Sequence, residues 1–318
     1  MPKNKHTVVT IGELLWDILP DKTILGGAPS NLAFRLFEMG DECFLVSRVG
    51  RDELGDKAMS ALKSMGLSTS FVQQDNQLPT GTVNVSFDKF MNPDYVINPN
   101  VAYDKIEISD DLLEIAKKAQ CIAFGTLAQR SFESRKTINE LLNKSPNAFK
   151  FLDINLRKNC YTKDSIEHSL KYADVLKINH HEAFELNKIF GLNISEIPGI
   201  AQKLATQFNI STVLLTLEEN GVFLYDRTEG EHYVPGHKIK LEDPLGAGDA
   251  FSAAFIHNKL KEKPLIECCI EGNKLGAIVA TQKGATQKIT QDELDNITLK
   301  NKRISDQSYS NYIKLTHC

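Results

Sequence analysis

Val175-Leu176-Lys177-Ile178-Asn179-His180-His181-Glu182 starts as a short apolar run and ends in five polar or titratable residues out of six. Val175 to Ile178 has the length and bulk of a buried strand. It lies between two stretches of helical apolar spacing, 163–172 and 195–208. The same rhythm extends on both sides. A helix over 110–119 precedes a strand at Cys121–Phe124, and a helix over 131–143 precedes Phe149–Ile154. The helix over 195–208 precedes Thr212–Leu217. Strands and helices alternating in this way make a parallel sheet covered on both faces. Ligands of such sheets bind beyond the carboxyl ends of the strands. Asp153-Ile154-Asn155-Leu156-Arg157, Lys177 to Glu182, and Thr216 all fall at those ends. His180 and His181 are adjacent, so their side chains point different ways, and they read as surface or packing residues.

Toward the N-terminus the alternation is interrupted. Val8–Gly12 reads as a first strand, but Glu13 to Pro20 stays extended where a helix is expected. Gly26-Gly27-Ala28-Pro29-Ser30-Asn31 then opens a helix, with Pro29 in its first turn. That helix runs through Leu32, Ala33, Leu36 and Phe37 and stops at Gly40. A strand at Phe44–Val49 and a helix over Leu54–Met65 follow. Thr82–Phe87 alternates cleanly, and the chain stays strand-like to about Val101. The two extended stretches can pair into a small sheet. Such a sheet, with one apolar face, needs a partner, as a lid over a site, a dimer contact, or both.

Toward the C-terminus stands Asp243-Pro244-Leu245-Gly246-Ala247-Gly248-Asp249-Ala250-Phe251, followed by an apolar helical pattern. Gly246, Ala247 and Gly248 let the backbone turn closely and aim N–H groups at one spot. The helix behind directs its positive end there as well, and Asp249 sets a carboxylate at the lip. Two readings stand at this point: a glycine turn with an acid stabilising a helix start, or an anion cradle beside a base. The second arrangement is what phosphoryl transfer to a hydroxyl requires. Helices over about 246–260 and 264–282 close the body.

The chain has 318 residues, is 42% hydrophobic and carries a formal net charge of −4, enough to bury a full core. That balance argues against nucleic acid and membrane surfaces as partners. No apolar run approaches membrane-spanning length, and the polar start lacks a signal-peptide core. The six cysteines have no CxxC or framework spacing. They read as reduced thiols of a cytoplasmic protein.

Three stretches together resemble the ribokinase-like (phosphofructokinase-B type) carbohydrate kinases over nearly the whole chain. Asp243 with Gly246 to Asp249 and Phe251 is similar to the family's C-terminal signature. Gly26-Gly27-Ala28-Pro29-Ser30-Asn31-Leu32-Ala33 is similar to its N-terminal one, and Asn179-His180-His181-Glu182 to its N-x-x-E. The resemblance implies an α/β three-layer sandwich with a mainly parallel central sheet covered by helices, plus a small β-sheet lid. The kinase domain would span 1–300, with a lid from about 13–25 and 80–103, and 301–318 as a C-terminal tail of unassigned role. Gly12 to Asp17, Val101-Ala102-Tyr103-Asp104, Phe124 to Ser131 and the Gly-Gly-Ala-Pro-x-Asn form look most like fructokinases. The implied reaction converts ATP and D-fructose to ADP and fructose 6-phosphate.

The same resemblance assigns roles. Asp249 is the general base, and Gly246, Ala247 and Gly248 hold the γ-phosphate. Arg157 sits at the site, either neutralising the phosphoryl group or in a structural ion pair. Asp17, Gly27, Asn31 and Asn155 face the sugar. Asn179, Thr216, Gly221, Asn273 and Gly284 face the nucleotide. Glu182 acts on Mg²⁺ through water, and Asp243 helps hold a K⁺ ion. A homodimer through the lid is implied as well. Two departures stand out: Pro244-Leu245 and Glu218 replace threonines and a glycine common in the family. Glu218 puts a charge and a Cβ where the nucleotide loop approaches phosphates; it either turns outward or weakens nucleotide binding. The competing readings are a kinase for 2-keto-3-deoxygluconate or another sugar, and a non-catalytic sugar-binding relative. No unassigned cation near the sugar motifs favours an acid substrate. A Rossmann dehydrogenase is opposed by the lack of GxGxxG after the first strand, and a P-loop kinase by the lack of a Walker A lysine motif.

Overall fold

The computed structural model describes residues 5–87 and 93–300. The tail at 301–318 and part of the second expected lid stretch lie outside them. The chain forms two compact units, one from residues 1–148 with 159–161, the other from 149–158 with 162–318.

The first unit contains β1 (Thr7–Ile11), β2 (Leu15–Ile18), β3 (Thr23–Gly26), α1 (Ala28–Glu38), β4 (Glu42–Gly50), α2 (Glu53–Ser64), β5 (Val72–Asp75), β6 (Gly81–Phe87), β7 (Pro93–Ile97), α3 (Asp110–Lys118), β8 (Cys121–Phe124) and α4 (Phe132–Lys144). Its larger sheet runs β5-β4-β1-β8, all parallel. β1 lies in its middle, and Val8, Val9 and Ile11 are wholly buried, as a strand covered on both faces requires. The expected small sheet forms, in the order β3-β2-β6-β7. β2 pairs with β6 in parallel, Trp16 opposite Thr82, while β3 and β7 flank them antiparallel. β3 falls at the end of the stretch expected for the small sheet, whereas β5 was not expected: Val72-Gln73-Gln74-Asp75 has only one apolar residue. At the head of α2, the Asp52 side chain accepts the Gly55 N–H at 2.7 Å, the usual closure of a helix start.

The second unit contains β9 (Phe149–Asp153), α5 (Lys163–Tyr172), β10 (Val175–Asn179), α6 (His180–Phe190), α7 (Ile197–Phe208), β11 (Thr212–Thr216), β12 (Gly221–Asp226), β13 (Gly230–Pro235), α8 (Ala247–Leu260), α9 (Leu265–Ala280) and α10 (Gln291–Lys300). β9, β10 and β11 are parallel neighbours, with Asn179 level with Thr216. β12 and β13 continue the sheet antiparallel, an addition to the expected parallel rhythm. The turn between them is held by Asp226, whose Oδ1 accepts the N–H groups of Thr228 and Glu229. α8 is buried continuously from Ala250 to Asn258. It packs against α9 through small residues: a Cβ on Gly276 would lie 3.0 Å from the Ala247 carbonyl oxygen. Among the described residues no helix is long and apolar enough to cross a membrane.

Candidate active site

In the second unit the sequence expectations converge on the start of α8. Gly246 caps that helix with φ +79°, and a Cβ there would lie 2.3 Å from the Ala285 Cβ. Only glycine satisfies both conditions. The Ala247 N–H turns back to the Pro244 carbonyl at 3.2 Å. The next N–H groups belong to the first helical turn, which has no preceding carbonyls to bond. Asp249 stands half-buried in that turn. The Asp243 carboxylate ties the approach together. Its Oδ1 accepts from Leu245 N at 3.0 Å and its Oδ2 from Gly284 N at 3.1 Å. Gly284, at φ +83°, has open space where a Cβ would project.

Beneath this turn lies a buried cation that the sequence reading quoted without assigning. Lys177, 8% exposed at the end of β10, places Nζ 3.1 and 2.9 Å from the two Asp153 carboxylate oxygens. A Cβ on Gly248 would come 3.0 Å from the same Nζ. The Ser252 hydroxyl, one turn along α8, is 3.1 Å from Asp153 Oδ2 and 3.0 Å from the Gly248 carbonyl, and can donate to either. Burial alone would lower the Lys177 pKa, but Asp153, Glu182 and Asp249 outweigh it and hold the ammonium above its ordinary value. Helix start, glycines and fixed ammonium therefore supply positive potential at one place.

Asn179 and Glu182 form a reciprocal cap on α6. Asn179 Oδ1 accepts the Glu182 N–H at 2.9 Å, and Glu182 Oε2 accepts the Asn179 N–H at 2.8 Å. Glu182 Oε1 accepts the Leu156 N–H at 2.9 Å, binding the β9 exit to the head of α6. Glu182 is 7% exposed. Burial raises its pKa, and Asp153 adds to the rise, against the pull of Lys177 and the two N–H donors. Asn155 is held at φ +44°, a conformation asparagine tolerates. Arg157 is exposed and forms no ion pair among the described residues, so the structural alternative weighed for it is not seen there.

Thr216 ends β11, its hydroxyl donating to the Ile178 carbonyl at 3.3 Å. Gly221 sits at φ +98°, where a Cβ would lie 2.2 Å from the Val234 carbonyl oxygen. The buried Asn273 amide donates to Val234 O at 2.9 Å and to Pro235 O at 3.3 Å. It therefore anchors α9 to β13. Glu218 adopts φ +52° and turns outward: its carboxylate lies 3.8 Å from His181 Nε2, with the side chain 56% exposed. His180 and His181 do not diverge as their adjacency suggested. Their rings lie 3.8 Å apart, centroid to centroid, with planes at 40°. Burial, and then His181, lower the His180 pKa against the pull of Glu218 and Glu219.

The first unit holds three of the four residues expected to meet the sugar, Asp17, Gly27 and Asn31, while Asn155 belongs to the second. Asp17 lies on β2, level with Ile24 on β3. A Cβ on Gly26 would reach within 2.7 Å of its Oδ2. Gly27, at φ +113°, precedes α1, and a Cβ there would strike the Glu13 carbonyl oxygen at 2.4 Å. The buried Glu13 side chain accepts from Ala28 N at 3.3 Å. Asn31 is buried on the first turn of α1. The remaining fructokinase-like stretches meet in one cluster. Arg130 grips Asp104 with two nitrogens at 2.8 and 3.0 Å, donates to Asn98 O at 2.7 Å, and lies over the Tyr103 ring at 5.1 Å.

Residues 21–292 match the pfkB family of carbohydrate kinases. The chain belongs to that family. It is an ATP-dependent sugar kinase of the ribokinase-like fold, with a mainly parallel sheet covered by helices and a small separate sheet. The kinase is 27% identical to a fructokinase of Vibrio alginolyticus, over 91% of this chain and 98% of that one. It superposes on an uncharacterized sugar kinase of Pyrococcus horikoshii, solved in complex with ATP. The TM-score there is 0.77 at 26% identity, covering 91% of this chain and 99% of that one. A fructokinase of Xylella fastidiosa with bound ATP shares the fold at TM-score 0.78 and 20% identity, covering 96% and 99%.

Proposed function

We propose that this kinase phosphorylates D-fructose, giving fructose 6-phosphate and ADP. The observation that carries the reading is the Gly246–Asp249 turn, a left-handed glycine at a helix start with a buried ammonium beneath it and a carboxylate on its first turn. The sugar hydroxyl oxygen forms the new bond to the γ-phosphorus, and the bond from that phosphorus to the β–γ bridging oxygen breaks. Asp249 orients the hydroxyl and takes its proton late, which suits a weak base in a loose transition state. In the Gly246–Gly248 turn the Ala247 N–H is held by the Pro244 carbonyl, so the N–H groups of Gly246 and Gly248 are the ones that meet the moving charge, and Lys177 adds fixed positive charge below them. Arg157, exposed beyond β9, is free to reach the same phosphoryl group.

On the nucleotide side the reading uses Asn179, Thr216, Gly221, Asn273 and Gly284. Asn273 acts there by holding β13 rather than by offering its amide. The oxygen donors near the turn suit Mg²⁺, which keeps most of its water shell. Glu182 would hold those waters through lone pairs left after its two N–H bonds, and the ion supplies charge neutralisation of the phosphates. Asp243 would serve a K⁺ ion through the loop it fixes. On the sugar side the reading uses Asp17, Gly27, Asn31 and Asn155, carboxylate and amide groups that match hydroxyls as donors and acceptors. Support for fructose comes from the fructokinase-like stretches and from the Vibrio alginolyticus relative. The reading extends to a homodimer through the small sheet, where Val96 is 51% exposed. It extends also to a cytoplasmic setting, in keeping with five buried free thiols.

The test is an ADP-release assay with ATP and Mg²⁺ over fructose, ribose, 2-keto-3-deoxygluconate and adenosine, run beside Asp249→Ala. Fructose-dependent turnover that falls at least about a hundredfold in the variant supports both substrate and base. Turnover on another acceptor overturns the substrate and keeps the base.

A further inference from the structure

The connection after β10 and the connection after β11 bring three side chains together that the kinase reading does not use. We propose that His180, His181 and Glu218 form a site for a divalent transition-metal ion of the zinc class, with three protein ligands and its remaining positions open to water. One ligand atom from each residue lies within 4.8 Å of the other two. His181 Nε2 and Glu218 Oε1 are 3.8 Å apart. Two imidazoles and one carboxylate are a donor set that zinc takes at roughly 2.0–2.2 Å per bond in catalytic sites, which sets tetrahedral ligand atoms roughly 3.4 Å apart. The present spacing therefore has to close by about 0.4 Å for the His181–Glu218 pair and by at most about 1.4 Å for the others, within reach of side-chain rotation. His181 and Glu218 are free to make it, at 76% and 56% side-chain exposure.

The backbone presents these groups together for a reason. Asn179 and Thr216 are level in the parallel pair β10–β11, so the residues just past each strand end emerge side by side. α6 starts at His180 and is fixed there by the Asn179–Glu182 cap, which sets where its two histidines stand. Glu218 opens a single 3-10 turn at φ +52°, and its side chain is carried toward the histidines. Imidazole nitrogens select Zn²⁺, Ni²⁺ or Cu²⁺ over Mg²⁺. The site is thereby chemically separate from the all-oxygen donors proposed for the nucleotide's Mg²⁺. Its direct effect is to clamp the β11–β12 connection to the head of α6. The inference stands whether or not fructose is the substrate.

The full chain, stripped with chelator and desalted, is titrated with Co²⁺ as spectroscopic probe and with Zn²⁺ by calorimetry. His181→Ala and Glu218→Gln are compared with a control, His232→Ala, whose ring bonds the Glu229 carbonyl on β13's side of the sheet. Expected are one Co²⁺ per chain with visible d–d absorption, its displacement by Zn²⁺, and a metal-dependent rise in Tm. Each of the two ligand variants weakens binding at least about tenfold, the range already seen for groups that only support a ligand. The control binds as wild type does. Both ligand positions are exposed, so metal-free variants keep the wild-type Tm; should Glu218→Gln fail to fold, His181→Ala alone decides. Absence of stoichiometric Co²⁺ or Zn²⁺ uptake by the wild type overturns the proposal, as does undiminished binding by His181→Ala.

Discussion

Replacing Lys177 by Met removes the cation under the Gly248 turn while keeping an unbranched stem of similar length. The partner left behind is Asp153, whose side chain is 13% exposed against 10% for Lys177. Breaking a buried pair costs about 3–5 kcal/mol, because one charge stays desolvated without its counter-ion. Asp153 keeps the Ser252 hydroxyl at 3.1 Å, so the lower end, about 3 kcal/mol, applies. For chains longer than about 150 residues each kcal/mol moves Tm by about 2–4 °C, and a 318-residue chain falls at the low end. The expected fall is about 6 °C by scanning calorimetry. Asp153→Leu alone should cost a similar amount. The double variant should regain most of the loss, since an apolar pair of matched volume replaces a buried ion pair at little cost. A Lys177→Met protein melting at the wild-type temperature would refute the reasoning. So would a double variant less stable than either single one, because it would mean that Asp153 and Lys177 act independently.

Gly246→Ala should destabilise by at least about 2 kcal/mol, from a left-handed φ and from contact with Ala285, and should raise the KM for ATP; thermal melts and ADP release read the two effects. Asn273→Ala leaves the Val234 carbonyl without its buried donor and should cost about 1–3 kcal/mol, with ATP affinity falling only through the displaced β13 edge. Asp75 should carry pH dependence. Burial alone would raise its pKa, but the Leu78 and Gln77 N–H groups and Arg48 lower it from the ordinary 3.8. A depressed folded pKa gives stability that is present above 3.8 and is lost as pH falls through the folded value. Asp75→Asn should therefore melt below wild type at pH 7, and the gap should close as the pH is taken below about 4; a gap constant with pH would count against it.

Much of the second unit was legible because its strands are buried on both faces. Val175–Ile178 and Thr212–Leu217 are short, mostly apolar runs separated by helical spacing, as strands of a covered parallel sheet are. The β12–β13 hairpin was not read, although Val222-Phe223-Leu224-Tyr225 is an apolar run buried almost throughout. Its turn uses Asp226 as acceptor and Gly230 in place of the more conspicuous Asn-Gly. β5 escaped for a different reason: its pairing with β4 rests on backbone bonds, with one apolar side chain in four residues. Gly246 was legible from its close turn before an apolar helical pattern, and Gly27 and Gly221 through the family resemblance; all three take a positive φ with no room for a Cβ. Lys177 was quoted but not assigned, because its significance depends on Gly248, 71 residues later in the chain, coming within van der Waals reach.

The histidine pair shows where one-dimensional reasoning about direction fails. Alternation separates neighbours only while the backbone keeps one periodicity. Asn179 is the last residue of β10 and caps α6, so His180 and His181 are the first two residues past the change from strand to helix. At such a junction the helical rotation of about 100° per residue replaces the strand's 180°, and two adjacent rings can come to lie over one another. The same junction follows β11, where Glu218 departs into a 3-10 turn instead of a helix. Sequence distance hides the meeting, 37 residues separating His181 from Glu218, but the level pairing of Asn179 with Thr216 compels it. Glu218 is thus accounted for by what lies beside it. Its carboxylate, 56% exposed, turns outward and stands beside the two imidazoles, 3.8 Å from His181 Nε2.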